Sequence, residues 1–153
     1  TVLVALRGLL GEDDFVRGFR KFMSDWAFKH PKPWDFFSTF NTVSGRNLDW
    51  FWRSWYYEDW TLDQAVAVVI QEYTLATIVV EDRGLVPMPA RLKITLESGQ
   101  VLEREIPAES WLHGERRIEL SVPLRSPVKR VEIDAAGVFP DIDRSNNVWE
   151  RGN

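Results

Sequence analysis

The chain has 153 residues, 44% of them hydrophobic, and a formal charge of -4 with an isoelectric point near 5.2. That length suits one ordinary domain or two small ones with ample material for a core, and the acidic balance speaks against nucleic acid, whose phosphates are held by clustered Lys and Arg. The absence of cysteine excludes disulfides and thiolate metal sites, and the longest apolar runs, such as Ala65 to Ile70, fall far short of the roughly 20 residues of a membrane helix.

The first element is a short helix in "TVLVALRGLLG", with Leu3, Leu6 and Leu10 on one face and Gly11 ending it, because glycine tolerates a left-handed terminus. The chain opens without Met and in mid-helix, as a piece of a longer protein would, so the compartment cannot be read from it. A second helix is expected next, capped by Asp13 or Asp14 and carrying Phe15, Phe19, Phe22 and Trp26 as one stripe. Pro31 disfavours helical geometry at His30 and predicts its end there. Pro33 fits a first helical position and Asp35 a first turn, so "PWDFFSTFNTVSG" reads as a third helix to about Val43, with Gly45 beyond it. Asn47 can cap a fourth helix, which holds "DWFWRSWYYEDW". On that helix the rings point around the whole circumference, a distribution that predicts burial between the other helices and the following strands rather than display.

Composition changes near residue 62. Sixteen of the twenty aromatic residues lie before Asp63 and twelve of the sixteen valines after it, which separates a helical segment, 1–62, from a strand-rich one, 63–153. "RLKITLESGQVLEREI" is the clearest hairpin, turning at Ser98-Gly99. Residues 65–70, 75–80, 118–124 and 128–133 add four strands, and six or seven short strands in about 90 residues predict an antiparallel sandwich of immunoglobulin-like size. The expected class is therefore α+β: about four helices, then the sandwich.

No catalytic, cofactor-binding or metal-ligating residue emerges. His30 and His113 belong to no metal-ligand spacing and read as cap or surface residues. No serine sits in a nucleophile elbow. Asp13 with Asp14 and Glu58 with Asp59 are sequence neighbours that diverge on a helix. "PDIDRSNNVWE" fails as a calcium loop, because Asn146 stands where glycine is needed and Gly152 where a bidentate Glu is needed. Its Asp and Asn side chains suit backbone-bonded turns, with Trp149 pinning the tail.

The helical segment does resemble a known family. Leu6-Arg7, Leu10-Gly11-Glu12, Phe15, Asp35-Phe36, Ser44-Gly45, Leu48, Phe51 and Trp55 follow, in order, the pattern that succeeds the catalytic core in aminopeptidase N-like zinc metallopeptidases, the gluzincins with HExxH and a downstream Glu. The strand-rich segment is similar to the sandwich that follows there, and "PDIDRSNNVW" to the tail of bacterial members. Lys32 departs from the Ser or Thr that often precedes the proline, which weakens the expected cap. The resemblance implies the non-catalytic C-terminal part of a zinc-dependent hydrolase, lacking its zinc ligands and catalytic residues and lying just after a catalytic tyrosine. It would support the fold and form part of the substrate-cleft wall. Zinc and a peptide substrate are then expected in the parent enzyme only, the upstream catalytic domain of the same parent chain is the expected partner, and self-association of the separate piece is expected through its uncovered apolar face. No membrane or nucleic-acid partner is expected. Two rival readings stand beside this one: a sandwich module that binds carbohydrate or protein with stacking rings from the aromatic helix, and an interaction domain using the unpaired helical face.

Overall fold

The computed structural model describes residues 1–152, and its contacts divide into two units, Thr1–Asp59 and a second that begins at Trp60. The class is α+β, helices first and antiparallel strands after. In the first unit α1 spans Val2–Leu10, α2 Glu12–Trp26, α3 Pro33–Ser44 and α4 Asp49–Tyr56.

Gly11, at φ 83°, joins α1 to α2, so Glu12, Asp13 and Asp14 fill the first turn of α2 beside its positive dipole end rather than serving as its cap. The buried face of α1 is Ala5, Leu6 and Leu9. Leu3, expected on that face, is exposed. α2 ends at Trp26, short of His30-Pro31, because Ala27 leaves helical geometry at ψ 128°. The missing Ser or Thr before α3 is offset by Asp35, whose carboxylate accepts the Lys32 N–H at 2.8 Å. Asn47 lies two residues before α4, with Leu48 at the cap position, and its Oδ1 accepts the Asp49 N–H at 2.9 Å.

Aromatic rings hold α2, α3 and α4 together. Phe40 meets Phe15 and Phe19, Phe22 meets the edge of Phe36 at 5.0 Å, and Phe37 stacks on Trp52 at 4.5 Å and 15°. α2 reaches α3 at Gly18, where an added Cβ would stand 2.7 Å from the Phe40 ring. Arg17 and Arg46 tie the helices further, donating to the carbonyls of Val43 and Leu9.

The second unit contains β1 Gln64–Glu72, β2 Leu75–Asp82, β3 Ala90–Leu96, β4 Val101–Ile106, the short helix α5 Glu109–Leu112, β5 Arg117–Pro123, β6 Val128–Ile133 and β7 Val148–Glu150. Two antiparallel sheets form, ordered β1-β2-β5 and β4-β3-β6-β7. Ile78 and Val80 of one sheet and Leu92, Ile94, Leu96, Val131 and Ile133 of the other supply the core, joined by Trp111 of α5. Period-2 alternation puts these side chains inward and leaves a charged outer face on the four-stranded sheet. There Arg91 faces Glu105 across β3 and β4, and Arg130 bonds both Glu132 and Glu150. Opposite charges on neighbouring strands stabilise the face modestly and keep it wet.

The entry to this unit is laid against the loop after β2. Thr61 N–H donates to the Gly84 carbonyl and Val86 N–H to that of Thr61. Gly84 is required there, since a Cβ would lie 2.2 Å from the Thr61 oxygen. At the other end, β7 pairs Trp149 with Val131, and Trp149 packs on the core.

Candidate functional site

The residues weighed for chemistry do not converge. His30 is exposed, and His113 follows α5, its Nδ1 3.0 Å from the Glu109 carbonyl oxygen, a C-terminal cap. Among the described residues no group of three or more His, Cys, Asp or Glu could hold a metal ion.

The acidic tail is a set of turns. Asp141 Oδ2 accepts the Gln64 N–H at 2.9 Å and an Asn147 amide hydrogen at 3.1 Å, and its Oδ1 takes the Asp143 N–H. Asp143 Oδ1 accepts the Ser145 hydroxyl and its N–H. Those two donors, the hydroxyl first, hold the Asp143 carboxyl below its ordinary range. Asp134, at φ 47°, accepts from Val138 N–H, Phe139 N–H and Arg144. Buried Asp82 accepts from Gly84 N–H, Leu85 N–H and Arg116. Burial nonetheless pushes the Asp82 carboxyl above its ordinary value, against Arg116 and the two N–H groups and with Asp63 adding to the rise. Each of these carboxylates anchors backbone, a structural use of acid chemistry.

Two surfaces of the helical unit stand out instead. The first is a groove of about 580 Å³ on α1 and α2, lined by Leu3, Phe15, Val16, Phe19 and Met23 with Arg20 at its side. The stripe of α2 is thus only partly covered: Phe15, Phe19, Phe22 and Trp26 are half-buried, and Gly18 is the buried residue of that helix.

The second is a hollow of about 330 Å³ between α3 and α4. The spacing of Trp34, Phe37 and Asn41 puts them on one face of α3, and Ser38, Asp49, Trp52, Arg53 and Tyr57 complete the lining. Asn41 organises its polar side: its Oδ1 accepts the Trp52 indole N–H at 2.9 Å, and its amide donates to Asp49 Oδ1 at 2.9 Å. The expected burial of the aromatic segment therefore holds for Phe51 and Trp52, whereas Tyr56 and Tyr57 are exposed, the latter by 68%. α4 ends at Tyr56, so Tyr57 no longer shares the packed face. Sequence reasoning placed Trp34, Asn41 and Asp49 in no site; the 34-37-41 spacing was the available signal.

No family profile and no curated protein matches the sequence. Among solved structures, aminopeptidase A of Legionella pneumophila, in complex with aspartic acid, is similar in fold over 86% of this chain, with a TM-score of 0.63 and 13% identity. The chain spans 15% of that protein's length. The fold of this chain is thus aminopeptidase-like over most of its length.

Proposed function

We propose that this chain is the supporting C-terminal part of a zinc-dependent, aminopeptidase N-like metallopeptidase, bracing the catalytic domain and walling part of the peptide cleft. The observation that carries the reading is the fold likeness over 86% of the chain, which agrees with the ordered motifs from Leu6-Arg7 to Trp55. The partly covered stripe of α2 adds support, because an apolar face of this kind is normally completed by another surface. In the parent protein the upstream catalytic domain supplies that surface, and zinc and the peptide bind there. Separated from it, the chain self-associates through Val16, Phe19 and Met23.

The test has two parts. Incubated with zinc and a panel of aminoacyl p-nitroanilides, the chain releases no nitroaniline. The coding sequence upstream of Thr1 reads HExxH, two histidines one helical turn apart that present both nitrogens to one metal. Hydrolysis by the chain alone, or an upstream frame without that motif, defeats the proposal. Self-association is checked by sedimentation, where Val16→Glu with Met23→Glu lowers the mass to that of a monomer.

A further inference from the structure

We propose that the hollow between α3 and α4 is a binding site for a neutral pyranose ring of a saccharide, stacked by Trp34 and Tyr57 and hydrogen-bonded by Asp49. The site lies on the helices rather than the sandwich and is independent of the role proposed above.

Three observations converge on that ligand. Trp34 is 56% exposed and Tyr57 68% exposed, yet both line a concavity floored by Phe37 and Trp52. Aromatic side chains brought to the edge of a hollow offer apolar faces to a ring that carries C–H groups on its own faces. The second observation is the polar clamp. Asn41 spends its amide on Trp52 and Asp49 Oδ1, which fixes the Asp49 carboxylate while its Oδ2 takes no donor among the described residues. Asp49 is exposed, so a sugar hydroxyl can reach that oxygen and donate to it. The third is charge. Arg53, held by Glu58 at 2.9 Å, and Lys32, 5.1 Å from the Trp34 ring centre, balance the charges of Asp49 and Glu58, so the rim offers neither sign of ion a net attraction. That balance suits a neutral polyol. A proline-rich segment would also stack, but proline has no N–H for Asp49. At about 330 Å³ the space is at the small end of ligand pockets, suited to one ring rather than a chain of them.

The test is titration of the chain with cellotetraose, mannotetraose and tetra-N-acetylchitotetraose, read by tryptophan fluorescence and calorimetry, with hexaproline and choline as contrasts. At least one saccharide is expected to bind saturably. Binding weakens about tenfold in Trp34→Ala, as loss of one stacked ring implies, and weakens in Asp49→Asn, while Trp34→Phe retains most of it and Met23→Ala, outside the hollow, leaves it unchanged. Circular dichroism confirms that each variant is folded. Failure of all three saccharides, an unchanged affinity in folded Trp34→Ala, or tighter binding of hexaproline or choline overturns the proposal.

Discussion

The two units bury apolar surface in different ways. In the sandwich, alternation along each strand sends aliphatic side chains such as Ile78, Ile94 and Val131 inward to full burial, while Ile70, Leu75 and Val101 stay exposed at strand ends. In the helical unit the contacts run ring to ring, from Phe15 through Phe40 and Phe36 to Phe37 and Trp52, and much ring surface stays open. A flat ring buries one face against a neighbour and still presents its edge or other face. The β unit thus closes an aliphatic core between its two sheets, while the helical unit leaves part of its ring surface uncovered.

The contrast is sharpest where one ring carries the helical packing. Phe40→Ala removes the ring that Phe15, Phe19, Phe36 and Trp52 all touch and should cost about 4 kcal/mol, read as a shifted urea midpoint with unchanged slope. Gly84→Ala strikes the sandwich differently, pressing a methyl on backbone at Thr61 and Asp63; about 3 kcal/mol is expected. A chevron analysis should find both losses. An alanine at 84 that left the midpoint alone would mean that the entry segment 61–63 is not held in place.

Phe19→Ala should cost only about 1 kcal/mol, because the ring is half-buried, and should lower the binding of an anilinonaphthalene dye to the open groove. A loss equal to that of Phe40→Ala would mean that the stripe of α2 behaves as core.

The smallest effect is one of pH. Because burial raises the Asp82 carboxyl, the stability tied to its protonated form is full below the ordinary carboxylate value of about 3.9 and is lost as pH rises through the higher folded value. Wild-type chain should therefore lose ground to Asp82→Asn over that rise, measured as the difference in urea midpoints. Asp143 has the opposite sign: its lowered carboxyl gives stability above the ordinary value that disappears as pH falls through the folded one.

Most elements were legible in the sequence because they are long enough for periodicity to show. α1 to α4 and β1 to β6 follow from helical stripes, strand alternation and the punctuation of Gly11, Pro33, Gly45 and Gly99. α5 is four residues and β7 three, shorter than one period of any pattern, so neither was expected; α5 exists through the burial of Trp111 and β7 through its ladder with β6. The hollow was half legible. Trp34, Phe37 and Asn41 share a face of α3 by spacing alone, but their meeting with Asp49 and Tyr57 depends on how α3 and α4 turn past Gly45, at φ 65°, which no local rule supplies.

The bond from Gln64 N–H to Asp141 links positions 77 apart, and Asn147 reaches the Gln64 carbonyl across 83. During translation at roughly 5–20 residues per second, the first strand leaves the ribosome several seconds before the groups that fasten it. The sandwich consequently matures last, its hem stitched only when the tail emerges, and a nascent chain paused before Asp141 should offer its opening strand to chaperones or proteases.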